Sequence, residues 1–331
     1  MTQRPYAAIR GAGHYAPARI VTNDDLSKIV ETDDEWIRSR TGIGARRVAR
    51  DDEFTSDMAI AAARMALDDA HVDPRDVDAI YVATCTPDTI FPSTACLVQN
   101  ALGCANAYGY DLSSACSGFI MALETATGAI ESGRIRTALV IGAEKLSAVT
   151  DWTQRETCVL FGDGAGAVVL QASERNGVLA TQLGVDGSLA DVLSIPGGGS
   201  RHPASEQSLR DHLHFVHMAG SKTFKAAVTV MAETATKALA KAGLSFDDID
   251  VMVPHQANYR IIEAVAKRLG GNLLDRVFIN LDRYGNTSAA SIPLALSEAQ
   301  SLGRIRPGDK VLIVAFGGGL SWGGAILEWK P

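Results

Sequence analysis

The stretch Ser114–Ala126 reads SACSGFIMALETA, and it decides the fold because its pattern returns at Ser288–Ala299 as SAASIPLALSEA. Each copy is followed by a GRIR tetrapeptide and then by a short apolar run, ALVIGA in the first case and VLIVAF in the second. A further pair lies upstream, where Asp76–Ala83, DVDAIYVA, resembles Asp248–His255, DIDVMVPH. Two matches in the same order indicate a duplicated unit.

Each copy of the unit reads as helix, strand, helix and strand. The alanine-rich runs Met58–Ala70 and Val230–Ala242 predict helices. The apolar runs Ala79–Ala83 and Leu139–Ile141 predict short buried strands. Such alternation is typical of a layered α/β architecture whose sheets are covered on both faces.

The two copies are not separated by a Gly/Ser-rich linker. The boundary is expected near Gln171–Gly177, which divides the chain into halves 1–174 and 175–331. The polar, glycine-rich segment Pro196–Leu213 predicts a long loop inside the second half.

Composition excludes several classes of protein. The chain has 331 residues, of which 47% are hydrophobic and 21% charged, as in ordinary globular proteins of two domains or two fused halves. The net charge of −7 argues against bulk attraction to nucleic acid or an anionic membrane. The longest apolar runs are too short to cross a bilayer, and the start of the chain lacks the apolar core of a signal peptide, so a cytoplasmic protein is expected.

The cysteines do not form a disulfide or zinc pattern. Five are present, an odd number, and no CxxC spacing occurs among them. Reduced thiols are therefore expected, and one of them is a candidate for chemistry.

Cys116 carries the strongest signal of the five. It lies in Asp111–Phe119, DLSSACSGF, where small and polar residues precede a helical run. Unpaired N–H groups and the helix dipole at a helix start favour a thiolate, so a lowered pKa is expected. The repeat aligns Cys116 with Ala290, so the thiol occurs in one copy only. The alternative is a buried cysteine that serves as a small apolar residue.

Two polar residues occupy corresponding places in the second copy. His255 follows an apolar strand in VMVPHQAN, and strand ends are where ligand sites form in α/β sheets. Asn286 lies in the turn before the second helix. If the copies are related by pseudo-twofold symmetry, Cys116, His255 and Asn286 meet in one pocket. Singly, a histidine such as His255 is more often structural, and Asn286 is an ordinary turn residue. The glycine-rich turn Phe316–Leu320 is either an oxyanion hole or a flexible bend.

A dinucleotide-like pattern near the start is discounted. Gly11–Ala16, GAGHYA, follows a strand as such fingerprints do. Pro17 comes next, however, and the following helix is expected to start at Asn23, too late to offer its N-terminus to a phosphate. The segment Gly162–Gly166, GDGAG, lacks the Lys and Ser/Thr of a phosphate-binding loop.

A histidine cluster is also discounted as a metal site. Its members alternate as in a strand, but no carboxylate spacing supports ligation. They are His212, His214 and His217. No metal is therefore expected.

Four motifs together resemble those of the β-ketoacyl-acyl-carrier-protein synthase III family, which has the thiolase fold: DLSSACSGF, VPHQAN, GNTSAAS and AFGGGLSWG. The resemblance runs along the whole chain and includes DEWIRSRTGI, FPSTAC and FGDGAGA. It implies a five-layered α/β/α/β/α core from two fused halves, which agrees with the repeat, and a homodimer. It implies no cofactor, because acyl-CoA is a substrate.

Carried over by position, the resemblance assigns catalytic roles. Cys116 is implied to take the acyl group from acyl-CoA. His255 and Asn286 are implied to polarise the malonyl thioester and stabilise the enolate that forms as CO₂ leaves, and the carbanion then attacks the acyl-cysteine. The backbone N–H groups of Cys116 and Gly318 are implied to hold the oxyanion. Thiolate attack preserves the thioester, and neutral donors suit a transient enolate.

The resemblance also implies contacts with CoA. Trp36 and Arg155 are implied to enclose the adenine, with Arg40 on a phosphate, and these residue types suit stacking and phosphate pairing. The other implied CoA-binding residues are Thr32, Gly220, Ser221 and Ala257. Glu156 stands where the family often has glycine, and it adds negative charge near a polyphosphate ligand.

An acidic carrier protein is implied to dock on a local basic patch. The implied contacts are Gln256, Ala257, Asn258, Tyr259, Arg260, Lys225, Lys267 and Arg268. Tyr259 replaces a commoner aliphatic residue. Phe91 matches a residue that reaches the acyl pocket of the other subunit, and Phe316 is assigned to the acyl pocket as well.

The leading hypothesis is an initiating condensing enzyme of fatty acid synthesis that uses acetyl-CoA or another short acyl-CoA. A second is a specialised condensing enzyme of secondary metabolism, because substrate choice depends on a pocket volume that sequence does not give. A third is an inactive carrier-protein-binding scaffold, against which the intact Cys116, His255 and Asn286 argue. A nicotinamide oxidoreductase rests on Gly11–Ala16 alone.

Overall fold

Helices and strands alternate along the chain as the repeat predicts. The computed structural model describes residues 4–270 and 273–330. The strands in these ranges are β1 (Tyr6–Tyr15), β2 (Ile20–Thr22), β3 (Ala45–Arg47), β4 (Ala79–Ala83), β5 (Tyr108–Leu112), β6 (Thr137–Glu144), β7 (Gly164–Ser173), β8 (Val178–Val185), β9 (Leu193–Ser194), β10 (His217–Met218), β11 (Val251–Pro254), β12 (Lys310–Gly317) and β13 (Ser321–Glu328). The helices are α1 (Asn23–Leu26), α2 (Asp34–Thr41), α3 (Thr55–Ala70), α4 (Thr94–Leu102), α5 (Gly118–Glu131), α6 (Arg155–Cys158), α7 (Glu206–Arg210), α8 (Gly220–Ala242), α9 (Tyr259–Leu269), α10 (Leu281–Tyr284) and α11 (Ser291–Ser301).

The two main sheets have the same strand order. The first runs β1-β7-β6-β4-β5 and the second runs β8-β13-β12-β11. The parallel pair β4 and β6 of the first sheet corresponds to the parallel pair β11 and β12 of the second. A parallel bridge from Met252 to Val277 occupies the place beside β11 that β5 takes beside β4. The topology therefore confirms the duplicated unit.

Five layers result from burying both faces of each sheet. Helices α3 and α4 cover the outer face of the first sheet, and α8 and α9 cover the second. Helices α5 and α11 lie between the sheets, in a central core that includes Phe119, Leu123 and Leu296. Burial on both sides accounts for the continuous apolar runs of β4, β6 and β12. The α/β/α/β/α architecture of the thiolase fold is confirmed.

Two glycines of the first sheet let the second half approach closely. A Cβ at Gly142 of β6 would lie 2.2 Å from the carbonyl oxygen of Ala289, and one at Gly166 of β7 would lie 2.2 Å from the nitrogen of Leu294. No side chain fits at these distances, so only glycine permits the contact. The turn that follows Asn286, and α11 after it, therefore lie directly on the first sheet.

The predicted elements agree with the structure apart from the histidine cluster. The helices at Met58–Ala70 and Val230–Ala242 and the strand at Ala79–Ala83 are confirmed. Pro196–Leu213 is irregular except for α7. The division at 174/175 stays a prediction, and it falls in the link between β7 and β8.

The strand predicted for the three histidines is wrong for two of them. Only His217 lies in a strand, whereas His212 has a left-handed φ of 56° because it follows the end of α7. Its Nδ1 lies 2.8 Å from an oxygen of Asp151. In the described ranges, no group of three or more His, Cys, Asp and Glu side chains is arranged to hold a metal.

The dinucleotide-like pattern has a packing role. β1 runs straight through Gly11–Tyr15, and a Cβ at Gly11 would lie 2.3 Å from the carbonyl oxygen of Ala66 in α3. The glycine therefore permits strand–helix contact rather than a phosphate-binding turn. Across the part of the chain that the structure describes, no helix combines the length and apolar character needed to cross a membrane.

Candidate active site

Cys116 lies in a short 3-10 turn directly before α5, as predicted for a helix start. The hydroxyls of Ser117 and Ser321 are 2.7 Å apart. The carbonyl oxygen of Ser114 lies 2.9 Å from the hydroxyl of Ser117 and 3.1 Å from that of Ser321, so one hydroxyl donates to this carbonyl while the other donates within the pair. These bonds tie the cysteine turn to the start of β13, although nothing in the sequence pattern singles out either serine.

Burial determines the protonation of Cys116. The side chain is 7% exposed, and burial raises the pKa of the thiol to about 12, against the smaller opposing effects of the Ser288 hydroxyl and a backbone N–H. The predicted lowering of the pKa is wrong for the free protein, because desolvation of a charged sulfur is the largest effect on this thiol. The resting nucleophile is a neutral thiol.

The two copies of the repeat align differently in the structure than in the sequence. Ala115 and Ser288 both have left-handed φ values, 43° and 49°, and each opens a 3-10 turn that leads into a helix. By this correspondence the backbone counterpart of Cys116 is Ala289, and the predicted pairing with Ala290 is wrong by one residue. The shift arises because the similar letters SAC and SAA occupy different positions of the turn. That the thiol occurs in one copy only is confirmed.

His255 follows the last residue of β11, and its backbone N–H donates to the carbonyl oxygen of Val314 at 2.8 Å. Its Nδ1 lies 2.7 Å from the hydroxyl oxygen of Ser291, which also accepts the backbone N–H of Gln256 at 3.5 Å. This arrangement directs the serine proton to Nδ1 and favours the tautomer with the proton on Nε2. Burial lowers the pKa of His255 to about 3, so the ring is neutral.

Asn286 is oriented by its own turn. Its Oδ1 accepts the backbone N–H of Ser288 at 2.8 Å, which leaves the amide NH₂ group to donate elsewhere. Its backbone N–H donates to the carbonyl of Leu160 at 2.8 Å, and its carbonyl accepts the N–H of Gly162 at 3.0 Å. The two halves of the chain are thus joined at this residue.

Cys116, His255 and Asn286 line one cavity of about 310 Å³, so the predicted meeting of the three is confirmed. Other residues selected from the sequence line it too: Trp36, Arg40, Gly220, Ala257, Asn258 and Phe316. The sequence did not reveal its apolar wall, which includes Leu193, Met218, Phe224 and Met231. Leu193 and Met218 belong to the two-residue strands β9 and β10, which give no periodic signal.

Cys116 also lines a second, larger cavity of about 950 Å³. Gly318 lies here, and a Cβ at this glycine would be 2.7 Å from the carbonyl oxygen of Leu193. Ile90 lines the same cavity, and the neighbouring Phe91 is 84% exposed and does not line it within one chain. The nucleophile therefore lies between two spaces.

The entrance to the first cavity is built around Trp36. Asp33 caps the start of α2 and accepts the backbone N–H of Trp36 at 2.6 Å. The guanidinium carbons of Arg40 and Arg155 lie 4.5 Å and 4.7 Å from the centre of a Trp36 ring. Arg155 also donates to the carbonyl of Glu31 at 3.0 Å. Both arginines thus lie over the indole in the free protein.

Two other residues assigned to CoA, Thr32 and Ser221, differ in their setting, and so does Glu156. The Thr32 hydroxyl is buried and has no hydrogen-bond partner among residues 4–270 and 273–330. Ser221 is exposed at the start of α8 and does not line the cavity. Glu156 does line it, so a negative charge stands at the same entrance as Arg40.

The basic residues assigned to carrier docking lie on α8 and α9, which pack together. Arg260, Lys267, Arg268 and Lys225 are all exposed. Lys267 pairs with Glu263 at 3.0 Å, so part of its charge is offset locally. Asn258 caps α9 by accepting the N–H of Arg260 at 2.8 Å and donates to the carbonyl of Arg40 at 3.0 Å.

Gln256 does not fit its predicted role in docking. It is 1% exposed, and its side-chain amide donates to the carbonyls of Pro254 and Phe278 at 2.8 Å and 3.2 Å. Its Oε1 accepts the N–H of Asn280 at 3.1 Å. With its hydrogen bonds used inside the protein, Gln256 holds the segment after β11 in place and has no side chain at the surface. Tyr259 beside it is 37% exposed.

Known proteins match the chain in both of its halves. Two family models match it, 3-oxoacyl-[acyl-carrier-protein (ACP)] synthase III over residues 110–187 and its C-terminal part over residues 239–329. A β-ketoacyl-[acyl-carrier-protein] synthase III of Desulfitobacterium hafniense is 51% identical over 323 residues, 97% of both chains.

Solved structures agree with these matches. The 3-oxoacyl-[acyl-carrier-protein] synthase III of Aquifex aeolicus is 47% identical with a TM-score of 0.90, covering 98% of this chain and 100% of that one. The priming β-ketosynthase of the R1128 polyketide pathway is 36% identical with a TM-score of 0.92, covering 99% and 98%. At these identities, and with coverage from end to end, the chain belongs to the β-ketoacyl-[acyl-carrier-protein] synthase III family.

Proposed function

We propose that the protein joins an acyl-CoA to a malonyl-carrier protein by decarboxylative Claisen condensation, as the initiating step of fatty acid synthesis. The observation that carries this proposal is the single cavity lined by Cys116, His255 and Asn286, in which the histidine is neutral. A thiol supplies the nucleophile, and two neutral groups supply hydrogen-bond donors. This combination suits acyl transfer followed by formation of an enolate.

In the first half-reaction, the sulfur of Cys116 attacks the thioester carbonyl of acyl-CoA and forms an acyl-cysteine. The backbone N–H groups of Cys116 and Gly318 are proposed to hold the oxyanion. The position of Cys116 between the two cavities supports this division, with the acyl chain in the larger space and the CoA arm in the smaller. Phe316, which the sequence assigned to the acyl pocket, lines the smaller cavity and not the larger one, so this division places it beside the CoA arm.

In the second half-reaction, the malonyl thioester replaces CoA in the smaller cavity. The Nε2–H of His255 and the NH₂ group of Asn286 donate to its carbonyl oxygen. As CO₂ leaves, negative charge accumulates on that oxygen, and donors fixed in a buried site stabilise it most. The carbanion attacks the acyl-cysteine, the bond from the acyl carbon to sulfur breaks, and Cys116 leaves as a thiolate that takes up a proton from solvent, with the 3-oxoacyl product on the carrier protein.

Trp36 is proposed to bind the adenine of CoA together with Arg155, while Arg40 contacts a phosphate. Replacing Trp36 with Ala is expected to raise the KM for acyl-CoA roughly 10-fold, because stacking on an aromatic ring contributes on the order of 1–3 kcal/mol per base. The rate at saturating acyl-CoA and the KM for the carrier substrate should change little. Steady-state kinetics with each substrate varied in turn measures this, and equal changes in both KM values would contradict the assignment.

The acidic carrier protein is proposed to dock on a surface formed by Lys225 of α8 and Arg260, Lys267 and Arg268 of α9. Arg268 donates to Thr229 of α8 at 3.0 Å, which holds the two helices together under this surface. Since Asn258 both caps α9 and lines the cavity, the surface begins at the cavity mouth. A carrier bound there can deliver its thioester to the site.

A homodimer and a cytoplasmic location complete the proposal. β5 ends the first sheet, and Tyr108 and Tyr110 on it are 50% and 43% exposed. Ile90 and Phe91 are 86% and 84% exposed. An open strand edge next to exposed apolar side chains favours association with a second copy. Sedimentation is expected to give twice the chain mass of 35.0 kDa, whereas a single-chain mass would contradict the dimer.

The proposal is tested by mixing the protein with a panel of acyl-CoAs and recording its intact mass. A covalent adduct is expected with short acyl chains, and subsequent malonyl-carrier protein should remove it and yield a 3-oxoacyl-carrier protein. No adduct with any acyl-CoA would refute the function. A second candidate, a condensing enzyme of secondary metabolism, is favoured by the likeness to the R1128 ketosynthase. Product formed from malonyl-CoA but not from the carrier-bound form would support it.

A further inference from the structure

Glu144, the last residue of β6, is a fully buried acid beside the nucleophile. Its carboxylate accepts hydrogen bonds from the Thr86 hydroxyl at 2.6 Å, the Cys85 N–H at 3.1 Å and the Thr84 hydroxyl at 3.2 Å. The Cys85 thiol lies 3.2 Å from its other oxygen. These partners are all neutral, and none of the largest effects on the pKa of Glu144 comes from a cation. Buried acids without a cation are unfavourable, which points to a function.

The partners of Glu144 are arranged for a carboxylate. The Thr86 oxygen already accepts the N–H of Lys145 at 2.9 Å, and the Thr84 oxygen accepts the N–H of Thr86 at 3.1 Å. Both hydroxyl protons are therefore left to donate to Glu144. Burial raises the pKa of Glu144, although these hydrogen bonds act against the rise. The result is a carboxylate that accepts a proton more readily than an exposed one.

Ser288 connects this carboxylate to the nucleophile. Ser288 lines the larger cavity together with Cys116 and Cys85, and its hydroxyl lowers the pKa of both thiols and of Glu144, so the hydroxyl lies close to all three groups. Its backbone is fixed, because its N–H donates to Asn286 at 2.8 Å and the turn that it opens packs on β6 at Gly142. The charge of Glu144 also helps to keep Cys116 neutral.

The other charged groups around the larger cavity are engaged elsewhere. Asp88 accepts hydrogen bonds from a serine of α3, and Asp111 accepts two backbone N–H groups at the start of α4. The ammonium of Lys145 donates to two backbone carbonyls. His214 is the exception: it lines the cavity, its ring is tilted against that of Phe215 with centres 3.9 Å apart, and its buried Nδ1 has no hydrogen-bond partner among the described residues. Cys85 is the other titratable group in contact with Glu144, and burial raises the pKa of its thiol.

We propose that Glu144, acting through the Ser288 hydroxyl, receives the thiol proton when Cys116 attacks the acyl thioester, an inference that rests on the proposed function. The S–H proton moves to the serine oxygen while the serine proton moves to Glu144. The sulfur forms its bond to the acyl carbon, the bond to the CoA sulfur breaks, and Glu144 returns the proton along the same path to the departing CoA thiolate. The site carries one negative charge throughout. Glu144 does not touch substrate and acts only through Ser288. It is therefore a positioning residue, which holds the proton until the CoA thiolate departs.

The test compares two reactions of Cys116 in Glu144→Gln, which keeps the side-chain shape but cannot take the proton. Single-turnover acylation by acetyl-CoA, followed by intact mass, is expected to slow roughly 100-fold. Its rate should rise in proportion to hydroxide, because the proton then leaves to solvent, whereas the wild-type rate levels off once Glu144 is ionised. Alkylation of Cys116 by iodoacetamide at a fixed pH should become faster, because the opposing charge is gone. A purely structural defect would not move the two reactions in opposite directions.

Glu131→Gln is the matched control. Glu131 is at the far end of α5, and burial raises the pKa of its carboxyl as well, so neither reaction should change. Ser288→Ala removes the connecting hydroxyl and is expected to slow acylation while leaving Glu144 in place. The inference is overturned if Glu144→Gln is acylated at the wild-type rate. It is also overturned if the folded variant loses both reactions together. If Glu144→Gln does not fold, acylation of Ser288→Ala at an undiminished rate overturns the inference. Absence of any wild-type adduct refutes the proposed function instead.

Discussion

Cys116→Ala is expected to give no covalent adduct with any acyl-CoA and no condensation product above background. The alanine removes the sulfur that forms the acyl-enzyme, while Ala289, at the equivalent position of the second half, indicates that the turn accommodates a methyl group. Folding should therefore be preserved. Intact mass after incubation with acyl-CoA measures the adduct, and thermal unfolding checks the fold.

Two other cysteines make this result specific. Cys104 is also buried, and burial raises the pKa of its thiol to about 11, so Cys104→Ala tests whether losing a buried thiol by itself affects the reaction. It should acylate like the wild type. Cys96 is exposed and is the thiol most open to nonspecific exchange. An adduct that persists in Cys116→Ala and maps to Cys96 would contradict the role of Cys116.

His255→Ala is expected to acylate Cys116 at close to the normal rate but to condense about 100- to 1,000-fold more slowly. That range is the usual effect of removing one fixed donor from a developing oxyanion. Because burial holds the pKa of His255 near 3, the ring is neutral at any pH at which the enzyme is assayed. His255 should therefore contribute no titration step to the pH profile of condensation, and the profiles of the wild type and of His255→Ala should have the same shape.

The two half-reactions separate this prediction from a general loss of function. Acylation is followed by intact mass, and decarboxylation by the release of CO₂ from malonyl-carrier protein. His255→Gln keeps an N–H donor and should retain more decarboxylation than His255→Ala. A His255→Ala enzyme that condenses at the full rate, or one that no longer acylates although folded, would remove the histidine from its assigned role.

The layered fold is predictable because its causes are local and repetitive. Alanine-rich runs favour helices, and apolar runs of about five residues favour strands buried on both faces. The second copy near Ser288 indicates two halves related by symmetry. That symmetry is enough to predict that Cys116, His255 and Asn286 lie together, since helix starts and strand ends of both halves meet at one place.

What the sequence did not reveal depends on packing between distant segments. Glu144 reads as the end of an apolar strand, and only its burial beside Ser288 gives it significance. Ser291 is unremarkable in the sequence, yet it orients His255. The raised pKa of Cys116 is likewise a consequence of desolvation by residues from both halves. The local helix start indicated the opposite direction.

Contacts carried over from the family varied in how well they fitted. Trp36, Arg40 and Asn258 line the cavity, whereas Gln256 is held inside by its own hydrogen bonds. A position in a motif identifies which segment is near a ligand, but not which side chains of that segment face it. Exposure decides that question, and exposure is set by the fold around the segment.

Gly142 and Gly166 bear on how inactivating substitutions should be interpreted. Neither glycine lines a cavity with Cys116, yet the contacts that they allow set how closely the second half lies on the first. A methyl group at either position would push α11 or the turn before it outward and carry Asn286 and Ser288 away from the sulfur. In a random mutagenesis screen, both positions should therefore rank with the catalytic residues, although their contribution is to the spacing of the two halves rather than to the chemistry.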